Sequence, residues 1–244
     1  MANSVDSVAV VTGGGSGIGL AIAEGLAGEG FRVAILGRNP ARLESAVKNS
    51  RFADRLTAFP CDVVDRQRVN ATFSAIREQL GAPKVLVNSA GINVVNRSMA
   101  VLSPEDWDRI LAVHATGTFN CMHAVLPIMR EQGDGLIINI SSIAGKRALE
   151  LAGPAYCAGK FAMTALGMAA GLEERHNGIR ITNIYPGEVN TPILEQRPTP
   201  VPEEQRRRML QPEDVAQVVL TIVRLPPRAH VWEVVLTPLY QAYA

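Results

Sequence analysis

Strand-like and helix-like segments alternate along the whole chain, and this order restricts the fold more than any other feature of the sequence. Short apolar runs such as "SVAVVT" (7–12), "FRVAILG" (31–37) and "GLIINIS" (135–141) each precede a longer segment with helical spacing of apolar residues. Nearly continuous apolar strands are typical of a parallel sheet that is buried on both faces. The alternation therefore predicts an α/β fold of the Rossmann type, a doubly wound, mostly parallel sheet of seven strands with helices on both faces in three layers.

The boundaries of the predicted elements follow from the same pattern. Strands are predicted at 7–12, 31–37, 56–62, 84–91, 135–141, 179–186 and 230–238. Helices are predicted at 17–30, 40–49, 66–80, 103–132, 154–175 and 212–225. The helix from 103 starts with Ser103 as its N-cap, Pro104 in the first position and Asp106 in the third.

Neither an internal linker nor a repeat interrupts this pattern, so residues 1–244 are predicted to form a single domain. The Pro-rich, charged stretch at about 191–211 is too short for a domain boundary. It is typical of a mobile loop beside a site, here a short substrate loop. A loop of this length predicts an open site without a large lid.

Composition excludes several classes of protein. A chain of 244 residues with 47% hydrophobic and 19% charged residues can bury a sizeable core, and disorder is not expected. The net charge of +1 favours neither a nucleic-acid nor a membrane partner, and the run Arg206–Arg208, preceded by two glutamates, indicates a solvated face. The N-terminus lacks the pattern of a signal peptide.

Cysteine usage indicates the compartment. The three cysteines, Cys61, Cys121 and Cys157, are few, widely spaced and odd in number. This usage fits a reducing cytoplasm and not a disulfide framework. None of them has metal-ligand spacing with the four histidines, so no metal site is predicted.

A glycine-rich turn follows the first strand and opens the first helix. In "VAVVTGGGSGIGLAIAEGL" the glycines permit a tight turn and a close approach of the backbone to a pyrophosphate, and the helix N-terminus supplies unpaired N–H groups. This context favours dinucleotide binding over a turn without function. The residues predicted to contact the phosphates are Gly13, Gly15, Ser16, Gly17, Ile18 and Gly19.

The end of the second strand predicts which dinucleotide is bound. An NAD-type site has an acidic residue there for the ribose hydroxyls. This chain has "ILGRN", in which Arg38 offers a guanidinium to a 2′-phosphate. NADP is therefore favoured over NAD. After the third strand, Asp62 either accepts a hydrogen bond from the adenine amino group or caps the following helix, and Val63 adjoins it.

The stretch "AYCAGK" (155–160) holds a phenol and an ammonium four residues apart, on one face of a predicted helix. The pairing of Tyr156 with Lys160 is either a chance surface pair or a device that lowers the phenol pKa for proton transfer. Two charges about 4 Å apart at an effective dielectric of about 20 interact by about 4 kcal/mol. That energy corresponds to about three pKa units, which would bring the pKa of a phenol close to neutral pH.

Five motifs occur together and in order: "TGGGSGIG" (12–19), "NSAG" (88–91), "NISS" (139–142), "YCAGK" (156–160) and "YPGEVNTP" (185–192). From about residue 7 to residue 192 the chain resembles the short-chain dehydrogenase/reductase family. The resemblance implies that Tyr156 is the acid/base at the substrate oxygen. It also implies that Lys160 favours the phenolate and holds the nicotinamide ribose, and that Ser142 hydrogen-bonds the substrate oxygen. Hydride would pass between the nicotinamide and the carbonyl carbon.

The same resemblance assigns further contacts and an assembly. It implies that Asn88, Ala90 and Gly91 line the cofactor's ribose and nicotinamide side. The residues implied at its carboxamide end are Pro186, Gly187, Val189 and Thr191. The substrate would be a small carbonyl or alcohol compound, and the protein a homo-oligomer, either a dimer or a tetramer.

Some positions depart from the family pattern. His114 stands in "VHATGTF" where the family has an asparagine that holds a helix kink and a proton-relaying water. The histidine either preserves the relay with a new pH dependence or is a packed side chain without a catalytic role. The interval from Ser142 to Tyr156 is one residue longer than in the family. Cys157 replaces a common serine, and the tail Leu239–Ala244 is expected at a subunit interface.

Three functions are compatible with this sequence. The first is an NADP-dependent carbonyl reductase or alcohol dehydrogenase, and a 3-oxoacyl-thioester reductase belongs to this group. The second is a non-catalytic NADP-binding redox sensor or scaffold on the same fold. The third is a dehydratase or epimerase, but the chain is too short for the added substrate domain of those relatives. The intact set of Ser142, Tyr156 and Lys160 favours the first.

Overall fold

A computed structural model describes residues 6–242 and contains a seven-stranded sheet in the order β3-β2-β1-β4-β5-β6-β7. All six strand pairs are parallel, so the predicted, mostly parallel Rossmann-type sheet is confirmed. The strands are β1 (Val8–Thr12), β2 (Arg32–Gly37), β3 (Leu56–Pro60), β4 (Pro83–Asn88), β5 (Gly135–Ile140), β6 (Ile179–Pro186) and β7 (Glu233–Leu236).

Helices cover both faces of this sheet. They are α1 (Gly17–Gly28), α2 (Pro40–Asn49), α3 (Arg66–Gln79), α4 (Pro104–Leu111), α5 (Gly117–Gln132), α6 (Pro154–Glu174), α7 (Glu203–Arg208) and α8 (Pro212–Arg224). Side chains of a strand alternate between two cores: Ala9 and Val11 belong to the core under α1 and α8, whereas Val8 and Val10 belong to the core under α3 and α5. The result is the predicted three-layer arrangement.

The long helix predicted at 103–132 is interrupted by a π-helical turn at Ala112–Thr116. The expected start is confirmed, since the Ser103 hydroxyl accepts a hydrogen bond from the Asp106 N–H at 3.1 Å. A π turn inserts one extra residue into a helix, and hydrophobic spacing over a long window does not reveal it. This turn brings His114 to 0% exposure between α4 and α5.

Two other predicted elements differ from the structure. The last strand is shorter than 230–238, because β7 pairs only with β6, over four residues at the sheet edge. The stretch at 191–211 is not an irregular loop: it contains a 3₁₀ turn at Pro192–Gln196 and the helix α7. Its side chains Leu194, Val201 and Met209 form a small buried cluster. The charged run Arg206–Arg208 lies in the last turn of α7.

The strand order positions the site. The chain moves outward from β1 through β2 to β3, and it then crosses to the other side of β1 to form β4. At such a reversal the loops after neighbouring strands diverge and leave a crevice at the carboxyl edge of the sheet. Within the described part of the chain, no helix combines the length and the apolar character that a bilayer crossing requires. Residues 1–5, on which part of the signal-peptide prediction depends, lie outside that part.

Candidate active site

A cleft of about 1140 Å³ lies at the carboxyl edge of the sheet. Among its lining residues are all the residues predicted from sequence except Asn88 and His114. Those lining it are Gly13, Gly15, Ser16, Gly17, Ile18, Gly19, Arg38, Asp62, Val63, Ala90, Gly91, Ser142, Tyr156, Lys160, Pro186, Gly187, Val189 and Thr191. The structure thus gathers five separate sequence motifs around one cavity.

The glycine-rich turn has the shape that a dinucleotide pyrophosphate requires. Gly13 has φ +67°, a backbone conformation that glycine adopts without strain. A side chain at Gly19 would place its Cβ only 2.4 Å from the Gly13 carbonyl oxygen, so the helix packs directly on the turn. The free N–H groups at the start of α1 border the cleft. The residues present therefore fit a nicotinamide dinucleotide.

The far end of the cleft is basic. Arg38 follows β2 immediately and is exposed to solvent at the rim. Arg42, on α2, lines the same region, although the sequence motifs did not identify it. Asp62 also lines the cleft, and its Oδ1 accepts a hydrogen bond from the Val64 N–H at 3.1 Å. The N-cap of α3 is Asp65, so Asp62 does not cap that helix.

The turn after β4 is fixed by β1. The N–H groups of Ser89 and Ala90 both donate to the Thr12 hydroxyl, at 3.0 and 3.1 Å. Asn88 lies behind the cleft surface. Its amide donates to Asn139 at 2.9 Å, within a row of buried amides across β4, β5 and β6. Asn88 thus supports the cleft wall through the strands, and its buried Oδ1 has no hydrogen-bond partner among residues 6–242.

Ser142, Tyr156 and Lys160 share one wall of the cleft. Ser142 follows β5 and opens a 3₁₀ turn, where its hydroxyl accepts a hydrogen bond from the Ala144 N–H at 3.1 Å. Tyr156 and Lys160 lie one turn apart on α6, and the Lys160 Nζ is 5.7 Å from the centre of the Tyr156 ring. The Lys160 Nζ donates to the Ile140 carbonyl oxygen at 2.8 Å.

The side chains around Tyr156 do not by themselves lower its pKa. Burial raises the pKa of Tyr156 to about 12, and the neighbouring Ser142 hydroxyl acts in the opposite direction. Burial also lowers the pKa of Lys160 from 10.5 to about 7. An amine with a pKa of about 7 is about half protonated at neutral pH, so it places only part of a positive charge beside the phenol. The expectation assumed two charges near a solvated surface, whereas burial of both groups disfavours their charged forms.

His114 lies deep in the protein and not at the cleft surface. Its Nε2 accepts a hydrogen bond from the Ile92 N–H at 3.0 Å, so the neutral ring carries its proton on Nδ1. Burial, followed by the positive charge of Lys160, lowers the pKa of His114 well below 6.5. Its ring contacts the Tyr156 ring edge-on at 5.0 Å. The ring is therefore packed beside Tyr156, and its buried Nδ1 has no hydrogen-bond partner among the described residues.

The extra residue between Ser142 and Tyr156 is accommodated without a bulge in α6. The segment forms 3₁₀ turns at Ile143–Gly145 and Glu150–Ala152 and then turns sharply at Gly153, where φ is +80°. Cys157 is buried against this segment, and its Sγ lies 3.5 Å from the Leu149 N. The thiol therefore packs against this segment.

The carboxyl-terminal tail contacts the loop after β6. The Gln241 amide oxygen accepts a hydrogen bond from the Glu188 N–H at 2.9 Å, and the Tyr240 hydroxyl donates to the Glu188 carboxylate at 2.6 Å. Leu239 is fully exposed. Residues 243–244 of this tail lie outside the described residues. Gln241 lines the cleft, although it belongs to none of the sequence motifs.

Residues at the substrate end were also missed from sequence. Asn93, Arg97, Leu149, Leu151 and Arg197 line the cleft around Tyr156. They come from three loops whose sequences match none of the motifs. Arg97 lies in the loop after β4 and is buried, although arginine is rarely placed in a core, and its burial is visible only in the structure.

Comparisons with known proteins agree with this architecture. The family model for short chain dehydrogenase matches residues 7–201. An uncharacterized oxidoreductase of Staphylococcus aureus (strain USA300) is 34% identical over 233 residues, covering 96% of this chain and 97% of the relative. The chain belongs to the short-chain dehydrogenase/reductase family, and it is an oxidoreductase of that family.

Two solved structures are similar over nearly their whole length. An alcohol dehydrogenase from the archaeon Thermococcus sibiricus, complexed with 5-hydroxy-NADP, has a TM-score of 0.86 and 27% identity, with coverage of 97% and 98% of the two chains. A 3-ketoacyl-(acyl-carrier-protein) reductase from Brucella melitensis, complexed with NADH, has a TM-score of 0.86 and 26% identity, with coverage of 96% and 98%. Relatives with this fold therefore bind either type of nicotinamide dinucleotide.

Proposed function

We propose that this protein is an NADP-dependent oxidoreductase that interconverts a carbonyl compound and the corresponding alcohol. The observation that carries the proposal is the convergence of Ser142, Tyr156 and Lys160 on one wall of the cleft that starts at the glycine-rich turn. A dinucleotide whose pyrophosphate lies on the N–H groups of α1 would extend along the cleft toward that wall. The substrate is a small molecule, bound between this wall and the loop after β6.

The roles of the three side chains follow from their chemistry. When bound, the reduced cofactor supplies a hydride to the carbonyl carbon. The Tyr156 hydroxyl donates a proton to the carbonyl oxygen, and its raised pKa keeps this proton available at neutral pH. The Ser142 hydroxyl donates a hydrogen bond to the same oxygen, where negative charge develops. Lys160, with a pKa of about 7, is placed one turn behind Tyr156 to return a proton to it.

His114 is proposed as a positioning residue and not as a proton relay. Its Nε2 is already occupied by the Ile92 N–H, and protonation of that nitrogen would break this hydrogen bond. The ring instead fills the space between Gly159 of α6 and the loop after β4. It thereby sets the distance between that loop and the Tyr156 ring.

NADP is the proposed cofactor because of the end of β2. Arg38 and Arg42 both lie at the cleft rim, where a 2′-phosphate of the adenosine ribose would be bound. The sequence "ILGRN" provides no carboxylate at the position that would bind the ribose hydroxyls of NAD. The NADP-type ligand of the Thermococcus enzyme is consistent with this choice, and the NADH of the Brucella enzyme means that the fold alone does not decide it.

The cytoplasm is the proposed location, and a homo-oligomer, a dimer or tetramer, is the proposed assembly. The three thiols are free and buried, as expected for a reducing compartment. Large apolar side chains are exposed on α5 and α6, where Phe119 is 39% and Phe161 42% accessible. Such a surface favours contact with another subunit. Light scattering after size-exclusion chromatography would test the assembly, and a monomer at micromolar concentration would contradict it.

Cofactor oxidation tests the proposed activity. NADPH consumption would be followed by absorbance over a panel of aldehydes, ketones, diketones and oxo acids, with NADH in parallel. Replacement of Tyr156 by phenylalanine should reduce kcat by about 10²- to 10⁴-fold, because it removes the proton donor. NADPH binding, measured by the fluorescence of the cofactor, should remain.

Tyr240→Phe is the matched control: it removes a tyrosine hydroxyl that donates to the Glu188 carboxylate at the cleft rim, and it keeps the ring that packs against the Arg208 guanidinium. Its kcat should stay within a few-fold of wild type. Turnover in Tyr156→Phe equal to that of wild type would refute the catalytic assignment. Tight NADPH binding by wild type without turnover of any carbonyl would favour the alternative, a non-catalytic NADP-binding sensor or scaffold.

A further inference from the structure

Three charged side chains of the described residues are buried, and two of them avoid the cost of an isolated charge. These three are Arg97, Lys160 and Glu174. Glu174 forms an ion pair with Arg130. Lys160 has a pKa of about 7, so it can release its proton. Burying a charge is unfavourable unless the group is paired or neutralised.

Arg97 is neither paired with an opposite charge nor neutralised. A guanidinium does not lose its proton in a protein. Within residues 6–242 no carboxylate forms an ion pair with Arg97, which is 8% exposed. Its partners are three backbone carbonyls, which satisfy donors but do not neutralise the charge. Its pKa is lowered by burial and by the nearby charge of Arg197, as expected for a cation in an unfavourable environment.

The guanidinium is nevertheless held in a fixed position. Its Nε donates to the Val94 carbonyl oxygen at 2.7 Å, its Nη1 to that of Leu151 at 3.2 Å, and its Nη2 to that of Gln196. These carbonyls belong to three separate loops around the substrate end of the cleft. Three of the five N–H donors are thus used, and two remain. A charge fixed by its surroundings binds a ligand without losing further side-chain freedom.

Arg97 also lies where a substrate would be bound. It lines the cleft, and it is close enough to Tyr156 for the two groups to interact electrostatically. Two other arginines that line the cleft are already paired, Arg197 with Glu188 at 2.7 Å and Arg109 with Asp106 at 2.7 Å. Glu195 lines the same region but is exposed to solvent, and it forms no ion pair with Arg97. Apart from Lys160, which can release its proton, Arg97 is thus the uncompensated buried positive charge at the substrate end of the cleft.

We propose that the substrate of this enzyme carries a carboxylate, which Arg97 binds while the carbonyl group of the same molecule faces Ser142 and Tyr156. The substrate class is therefore an oxo acid in the direction of reduction, or a hydroxy acid in the direction of oxidation. Reduction adds one hydride to the carbonyl carbon and one proton, from Tyr156, to its oxygen. The carboxylate is unchanged and serves only for recognition. This inference rests on the proposed oxidoreductase function.

Matched pairs of substrates test the proposal. NADPH-dependent reduction of 2-oxo, 3-oxo and 4-oxo carboxylic acids would be compared with that of their methyl esters, which keep the carbonyl but lack the charge. Wild type should have a kcat/KM for its best acid at least about tenfold above that for the ester, since hydrogen bonds to charged groups contribute this much. Arg97→Gln should raise KM for the acid by about tenfold to a hundredfold more than KM for the ester. Arg97→Lys, which keeps the charge, should restore part of the preference.

Arg77→Gln is the charge-matched control. Arg77 lies on α3 in an exposed ion pair with Glu131, and it does not line the cleft. Arg77→Gln should leave the ratio of kcat/KM for the acid to kcat/KM for the ester unchanged. If Arg97→Gln reduced turnover of acid and ester equally, Arg97 would act only as a tie between the three loops, and the proposal would be overturned. A wild-type preference for the esters would overturn it as well.

A binding measurement decides the proposal even if no carbonyl in the panel is reduced. The complex of wild type with NADP⁺ would be titrated calorimetrically with butanoate, pentanoate and benzoate, and with the corresponding amides. Tighter binding of a carboxylate than of its amide, lost in Arg97→Gln, would support the anion site while the proposed reductase function failed. Equal affinity for carboxylates and amides would refute the anion site without bearing on hydride transfer.

Discussion

We predict that Lys160 lowers the free energy of unfolding of this protein, and that the size of the effect depends on pH. The folded protein holds the pKa of this lysine at about 7, compared with 10.5 for a solvated lysine, because the amine is buried. A pKa difference of about 3.5 corresponds to about 5 kcal/mol, since one pKa unit corresponds to about 1.4 kcal/mol. The unfolded chain binds the extra proton between these two pKa values, so the folded state loses stability as the pH falls from about 10.5 to about 7.

The variant Lys160→Met removes the titrating group and approximately keeps the volume. It should be more stable than wild type at pH 7, and this advantage should shrink by about 3 kcal/mol as the pH rises from about 7 to about 10. Loss of the hydrogen bond to the Ile140 carbonyl lowers the stability of the variant by about 1–3 kcal/mol, but that loss does not depend on pH. The change with pH is therefore the diagnostic quantity, and the variant should be inactive throughout.

Urea unfolding at several pH values between about 7 and 10, followed by tryptophan fluorescence at a fixed protein concentration, measures this difference. The Cys61 and Cys121 thiols, whose pKa values burial raises, titrate differently in folded and unfolded states, but they are common to both proteins and cancel. Lys48→Met, at an exposed position of α2, is the control and should show no pH-dependent difference. A constant difference between Lys160→Met and wild type over the whole range would refute the reasoning.

Three further predictions concern the cofactor and the proton path. Arg38→Asp should reverse cofactor preference toward NADH by about tenfold or more, measured as the ratio of kcat/KM values, because a carboxylate repels the 2′-phosphate; retained NADPH preference would contradict this. His114→Asn should leave the pH profile of kcat/KM unmoved between about pH 6.5 and 8, since burial lowers the pKa of the histidine well below 6.5. Gly19→Ala should weaken NADPH binding in a fluorescence titration by at least about tenfold, because its Cβ would lie 2.4 Å from the Gly13 carbonyl oxygen; unchanged affinity would show that the turn can relax.

The local elements were predictable because each depends on residues close together in the chain. Apolar runs bounded by glycines predicted the strands, and Ser103 and Pro104 predicted the start of α4. The spacing of Tyr156 and Lys160 predicted that they share a helix face, since four residues make about one helical turn. The order of the motifs predicted the family, which the comparisons confirm.

Burial and long-range contacts were decided only by the tertiary structure. Burial raises the pKa of Tyr156 and lowers that of Lys160, and the spacing of the two residues in the sequence does not reveal this burial. The π turn that buries His114 and the packing of Gln241 on the loop after β6 depend on residues distant in the chain. Arg97 is the clearest case, because its buried charge is held by carbonyl groups of three loops that meet only when the chain folds around the cleft. The spacing of residues in the sequence does not predict this arrangement.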